Sequence, residues 1–386
     1  MKKPHLFAPG PSPVPPEALL TMARPILHHR APEFETLLAE VREDLKALFQ
    51  TTEEVLLFTA SGTGGMEGAV VNTLSPGEKA LVIRSGKFGE RWGEICQAYG
   101  IPFTPVDVPY GKAVDPGLIA AALRKDPDVA AVFSTHSETS TGVLHDIQAI
   151  AEVVRKTPTL LVVDAITSLG VVDLPVDAWG VDVVVAGSQK ALMLPPGLTM
   201  VGVSQKAWAV VEKARLPKYY FDFAAERKNL LKNQSHFTPA VSLVVGLRET
   251  LRMILSEGLP HVFQRHDRLA AAMRSGVTAL GLDLFAERPS PAVTAVKVPP
   301  GIDGGAIVKT LRAKHGVTIA GGQGSLKGKI FRVATMGYAD ASDVAVALSA
   351  LELTLAELGY PVKLGEGTRA AQEVLAGMSD VQSPRS

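Results

Sequence analysis

The stretch Val181-Asp182-Val183-Val184-Val185-Ala186-Gly187-Ser188-Gln189-Lys190 joins a short run of β-branched residues to a turn of small residues and then to a lysine. Such a run is too short for a helix and reads as a strand buried on both faces, the kind a parallel sheet contains. A lysine directly after it can be desolvated enough to act as an amine nucleophile, although most lysines are only solvated charges. Working outward, similar apolar runs stand at Val55–Phe58, 79–83, 129–133, 160–163 and Thr199–Val203. Helical spacing lies between them at 33–49, 65–74 and 146–156, and the last of these begins acidic and ends basic, as the helix dipole favours. The alternation predicts an α/β body with a mostly parallel sheet covered by helices. Beyond Gly258, a helical stretch over 262–280, a strand over 294–298 and another over 329–333 predict a smaller α+β domain. The expected division is an extended N-terminal segment (1–20), a large domain (21–257), a small C-terminal domain (258–365) and a tail (366–386). Pro9 to Pro16 is too rich in proline for an ordinary helix or a central strand, and it is expected to lie extended over the surface. The final residues, 379–386, are polar and expected to fray.

The chain has 386 residues, more than one hydrophobic core usually holds. Apolar residues make up 46% and charged residues 20%, a globular composition. Lysine plus arginine equals aspartate plus glutamate at 39 each, which removes any global electrostatic argument for nucleic acid or a membrane surface. The lone Cys96 excludes an internal disulfide and any multi-cysteine zinc site, and it suits a reducing cytoplasm. The first ten residues lack the apolar run of a secretory signal, and no apolar stretch is long enough to span a bilayer. His28, His29, His136 and His145 lack metal-ligand spacing, so no metal site is expected.

In parallel sheets, ligands gather at the carboxyl ends of strands. Val55–Phe58 is followed by Ser61-Gly62-Thr63-Gly64-Gly65 and a helical pattern, a candidate anion cup that reads equally as a simple turn. The run 160–163 ends in Asp164, a carboxylate that alone reads as well as a structural cap. With Lys190 they make a combination more specific than its parts. Pyridoxal phosphate needs a phosphate cradle, a lysine for its Schiff base and an acid at its pyridine nitrogen.

On these and three further motifs, the chain resembles the class V aminotransferases of the aspartate-aminotransferase (type I) fold, in particular the alanine-glyoxylate, serine-pyruvate and serine-glyoxylate group. The shared motifs are Ala8-Pro9-Gly10-Pro11, the glycine turn at 61–65, Thr135-His136-Ser137-Glu138-Thr139-Ser140-Thr141-Gly142, Val163-Asp164-Ala165-Ile166-Thr167-Ser168 and Gly187-Ser188-Gln189-Lys190-Ala191. Together they extend the resemblance over about residues 5–365. It implies pyridoxal 5'-phosphate as cofactor, an amino acid and a 2-oxo acid as substrates, and a homodimer with its active site at the interface.

The roles that the resemblance implies fall on matching positions. Lys190 would carry the cofactor and move protons, and Asp164 would hold the pyridine nitrogen protonated. Thr63, Gly64, Gly65 and Gln189 would hold the phosphate, with Thr238 of the partner subunit completing the cup. Phe88 would stack on the ring where relatives often have tryptophan, Ile166 would lie on its other face, and Thr139 would sit near the ring hydroxyl. Arg332 would grip the substrate carboxylate, for which a planar fork is suited, and Gly10 is assigned beside it. Ser235 stands roughly where some relatives use a phosphate-binding tyrosine.

Three other functions stay open at this level. His28-His29-Arg30 resembles the pair with which phosphoserine aminotransferases bind substrate phosphate, which makes Arg30 a further candidate substrate residue, with 2-oxoglutarate and glutamate as the co-substrate pair. Cysteine desulfurases share the fold but use a histidine on the ring and a mobile cysteine, whereas this chain has Phe88 and no cysteine between Gly321 and Lys329. A non-catalytic subunit associated with a hydrogenase would keep the fold without needing Lys190, Asp164 and Arg332.

Overall fold

The structure is a computed structural model and describes residues 2–377; the expected fraying of 379–386 lies outside the described residues. Its strands are β1 (His5–Leu6), β2 (Val55–Phe58), β3 (Lys79–Arg84), β4 (Phe103–Asp107), β5 (Val129–Thr135), β6 (Ser137–Glu138), β7 (Val143–Leu144), β8 (Leu160–Asp164), β9 (Val183–Gly187), β10 (Thr199–Val203), β11 (Val293–Lys297), β12 (Val317–Thr318), β13 (Ala320–Gly321) and β14 (Ile330–Ala334). The helices are α1 (Pro16–Met22), α2 (Pro32–Phe49), α3 (Gly62–Thr73), α4 (Lys87–Ala98), α5 (Pro116–Lys125), α6 (Ile147–Val154), α7 (Val176–Trp179), α8 (Gln205–Val211), α9 (Phe223–Leu230), α10 (Val241–Glu257), α11 (Leu259–Ala279), α12 (Gly304–Thr310), α13 (Ala341–Glu357) and α14 (Glu366–Gly377).

The large sheet runs β2-β10-β9-β8-β5-β3-β4. Every pair in it is parallel except those made by β10, which is antiparallel to both neighbours. The connection from β9 to β10 is too short for the crossover that a parallel return requires, so the chain turns straight back. Strands β2, β8, β9 and β10 are buried at every position, and Leu38, Leu45 and Phe49 of α2 and Met66 and Val70 of α3 pack into the same core. Each fully buried side chain of this size contributes about 1.5–3 kcal/mol. The register brings Thr199 opposite both Phe58 and Gly187, and Asp164 opposite Thr135 and Val185. The carboxyl ends of β2, β5, β8 and β9 therefore fall along one edge.

A second core forms around the antiparallel sheet β11-β14-β13, where Leu269, Met273 and Val277 of α11 meet Phe331 and Leu348. Two expectations change here. The part of the expected tail within the described residues is a helix, α14, whose Ala371, Val374 and Leu375 join this second core. It crosses α11 so closely that a Cβ on Gly276 would lie 2.9 Å from the Gly367 carbonyl.

The N-terminal segment 1–20 is not simply extended over the surface. Strand β1 pairs in parallel with β12, Pro9, Ser12 and Pro15 are buried, and α1 begins at Pro16, where the missing amide of proline costs nothing. No helix among the described residues is long and apolar enough to cross a membrane.

Candidate functional site

Strand β9 delivers Lys190 on a turn held from behind. Ser12 donates its amide to the Gln189 carbonyl (3.0 Å) and its hydroxyl to the Lys190 carbonyl (2.6 Å). The Lys190 amine donates to the Pro9 carbonyl. Burial lowers the pKa of this amine to about 8; Asp164 opposes the shift, and Arg332 and Arg91 add to it. Next to it, Gly10 has φ 122° and no room for a side chain: a Cβ there would lie 2.7 Å from Lys190 Cε.

Asp164 ends the neighbouring strand β8 and accepts the Ile166 amide at 2.8 Å. Burial raises its pKa to about 7, against the pull of that amide, Lys190 and Arg91. Amine and carboxylate influence each other across adjacent strand ends. A bound cation at the carboxylate would restore its charge, since an opposite charge favours the ionised form.

The glycine turn sits at the end of β2, and its glycines also permit close packing. Helix α3 begins at Gly62 rather than at 65, so Thr63, Gly64 and Gly65 form its first turn. The Gly64 amide closes on the Ser61 carbonyl at 2.8 Å. A Cβ on Gly65 would lie 2.6 Å from Val185 Cγ1, and one on Gly62 would lie 2.7 Å from Ile166 Cγ1. The glycines let the helix end press onto β9 and leave Ile166 and Gln189 crowded over Gly62 and Gly187. Gln189 Oε1 is buried with no hydrogen-bond partner. An orphaned amide end suits a ligand, because turning the amide over presents its donor instead.

Opposite this cup, Phe88 lies in the first turn of α4, whose N-cap Gly86 has no side chain to offer. Glu138, fully buried, takes the capping role from another part of the chain. One of its oxygens accepts the amides of Phe88 (3.1 Å) and Gly89 (2.9 Å). The other accepts the Ser140 amide (3.0 Å) and hydroxyl (2.5 Å), and burial raises the carboxyl's pKa. Thr139 and Thr167 share a hydroxyl bond of 2.7 Å. Arg332, 4% exposed, donates to the Thr139 carbonyl (2.9 Å) and twice to the Gly321 carbonyl (3.1 and 2.7 Å). Burial lowers its pKa to about 10, so it is still a cation at neutral pH. Those three bonds leave part of its five-donor fork for an incoming carboxylate.

Lys190, Asp164, Gly10, Thr63, Gly64, Gly65, Gln189, Ile166, Phe88, Thr139 and Arg332 thus gather at one edge. Among the described residues no hydrogen bond ties Arg30 or Thr238 to this group: Arg30 donates to Gln234 at 2.9 Å, and Thr238 is exposed. The Ser235 hydroxyl is used inside the same loop, donating to the Phe237 carbonyl at 2.6 Å. Ser12 and Arg91 carried no expectation from the sequence, and Glu138 stood there only inside a motif, without a role. Arg91 follows Phe88 by three, the spacing that places two side chains on one helix face, and this was the one available signal. Cys96 is buried in α4 with its thiol pushed up to about 12, which makes it a poor nucleophile.

This constellation fits a flat heteroaromatic cofactor with an aldehyde, a protonatable ring nitrogen and an anionic tail. A buried amine, a buried carboxylate, an aromatic ring and a helix end beside an orphaned amide each meet one of its groups. Comparison with known proteins points the same way. A family model described as Aminotransferase class-V matches residues 6–346. The chain is 45% identical over 381 residues to a Synechococcus sp. protein named soluble hydrogenase, small subunit, covering 97% of this chain and 99% of that protein. It is 40% identical over 376 residues to the L-aspartate–glyoxylate aminotransferase of Paracoccus denitrificans, covering 95% of each. Among solved structures, ureidoglycine–glyoxylate aminotransferase from Bacillus subtilis matches with a TM-score of 0.93 at 31% identity, over 97% of this chain and 99% of that one.

Proposed function

Since the chain belongs to the class V aminotransferases, we propose that it moves the amino group of a small amino acid, alanine or serine, to glyoxylate or pyruvate in two half-reactions at one site. The family's cofactor is pyridoxal phosphate. When bound, it supplies an aldehyde that condenses with amines and a ring that accepts the electron pair left on the substrate α-carbon. In this reading the chain's own residues bind, orient and move protons. Thr63, Gly64, Gly65 and Gln189 hold the phosphate, with Thr238 from a second copy of the chain. Phe88 and Ile166 flank the ring, and Thr139 lies by its hydroxyl. Asp164 keeps the ring nitrogen protonated, and that charge makes the ring a better electron acceptor. Arg332 fixes the substrate carboxylate beside Gly10, which turns the α-hydrogen toward Lys190. The Lys190 amine would take that proton and hold it for return, the task of a general base and then a general acid.

The observation that carries this reading is the pair of buried, mutually interacting groups Lys190 and Asp164 on adjacent strand ends. Lys190→Ala is expected to abolish both the visible absorbance of protein-bound cofactor and turnover; a variant retaining both would refute the assignment. Alanine, serine and aspartate offered with glyoxylate or pyruvate should outpace phosphoserine with 2-oxoglutarate. The reverse order would favour the phosphoserine reading through Arg30.

A second reading rests on the hydrogenase name of the Synechococcus protein: a subunit that keeps the fold without the chemistry. The complete set of Lys190, Asp164 and Arg332 argues for the enzyme, and a purified protein with no yellow, borohydride-reducible chromophore would argue for the subunit. The proposal takes the enzyme to be a cytoplasmic homodimer. An exposed Thr238, available to a second copy of the chain, supports the dimer, and a single, buried cysteine suits the compartment.

A further inference from the structure

Arg91 is a cation without an acid. Among the described residues, no carboxylate forms an ion pair with it, and its recorded partners are two residues of the site. Its Nη1 donates to Thr63 Oγ1 at 3.1 Å, and its guanidinium carbon lies 4.8 Å from the centre of the Phe88 ring. A part-buried guanidinium held by a hydroxyl and a ring face has an unmet charge, and the rim of a cup is a favourable place to meet it.

We infer that Arg91 is a cofactor-binding residue that supplies the positive charge of the phosphate cup, reaching the phosphate together with the Thr63 hydroxyl. This rests on the pyridoxal phosphate reading above. The geometry is direct. An anion oxygen accepting from Thr63 lies roughly 3 Å from its Oγ1, and therefore no more than roughly 6 Å from the Arg91 nitrogen before any side-chain movement. The cup otherwise holds neutral donors, namely a helix end with one amide already closed on Ser61 and the orphaned amide of Gln189. Neutral donors alone leave the charge of a dianion less well compensated than a guanidinium beside them would leave it. The Arg91 charge also acts weakly on Asp164 and Lys190.

The test is equilibrium dialysis of the full-length apo-protein against pyridoxamine phosphate and against pyridoxamine. Neither can link to Lys190 through an aldehyde, and the two differ only in the phosphate. In Arg91→Met, which keeps a stem against Phe88, the preference for pyridoxamine phosphate over pyridoxamine is expected to fall on the order of tenfold to a hundredfold. Arg91→Lys should keep most of it. If the preference is unchanged in Arg91→Met, or both ligands weaken equally, Arg91 is a stacking or structural residue and the inference fails. Should Arg91→Met not fold, Arg91→Gln decides by the same ratio. Wild-type protein that binds neither ligand overturns the cofactor reading itself, and this inference with it.

Discussion

Lys190 shows what burial does to a single group. With its pKa lowered to about 8, about a tenth of its amine is neutral at pH 7, against less than about a thousandth for an ordinary lysine near 10.4. Capture of an aldehyde requires the neutral amine. The rate at which apo-protein takes up pyridoxal phosphate should therefore rise about tenfold per pH unit below 8 and level off above it; stopped-flow absorbance between pH 6.5 and 9.5 would show this, and a rise continuing to pH 10 would contradict it. At this scale Lys190, Asp164 and the glycine turn were legible because each directly follows an apolar run, and position in a parallel sheet then dictates where it points. Arg91, Glu138 and Ser12 were not. Their roles depend on contacts with residues distant in sequence, such as the 50-residue separation between Glu138 and Phe88, and no local pattern encodes that.

At the level of elements, the start of α4 depends on a borrowed cap. Glu138 accepts three backbone amides and a hydroxyl, which uses the acceptor capacity of both carboxylate oxygens. Glu138→Gln turns one oxygen into a donor that faces donors. It is expected to lower stability by about 2–4 kcal/mol in urea unfolding and to loosen the cofactor site through Phe88; a loss below about 0.5 kcal/mol would show that the cap is dispensable. Strand positions were readable from β-branched composition; alternation and burial are blind to polarity along the chain, and the reversed direction of β10 shows only in the short connection from β9. Helix α14 was read as part of a tail. Its narrow stripe of Ala371, Val374 and Leu375 gains meaning only once α11 lies beneath it.

For the whole molecule, the sequence indicated a large α/β body and a smaller second one, and the two main cores accord with that. It did not indicate how the N-terminal residues connect them. If Thr238 serves the partner's site, two inactive variants should rescue each other. Lys190→Ala and Thr238→Arg are each inactive alone, but co-expressed they form mixed dimers with one intact site. Random pairing would restore about a quarter of wild-type sites, and no recovery would remove the shared-site arrangement. The N-terminal strap has a further consequence. Phe7 is bonded on both sides to the second body, through Thr318 and Ala334, while Ser12, five residues on, is bonded to the lysine turn. So short a tether has little slack. Any rocking of the smaller body would draw it taut and tug on the peptide that aims the reactive amine, so opening and closing would be felt mechanically at the nitrogen where the chemistry takes place.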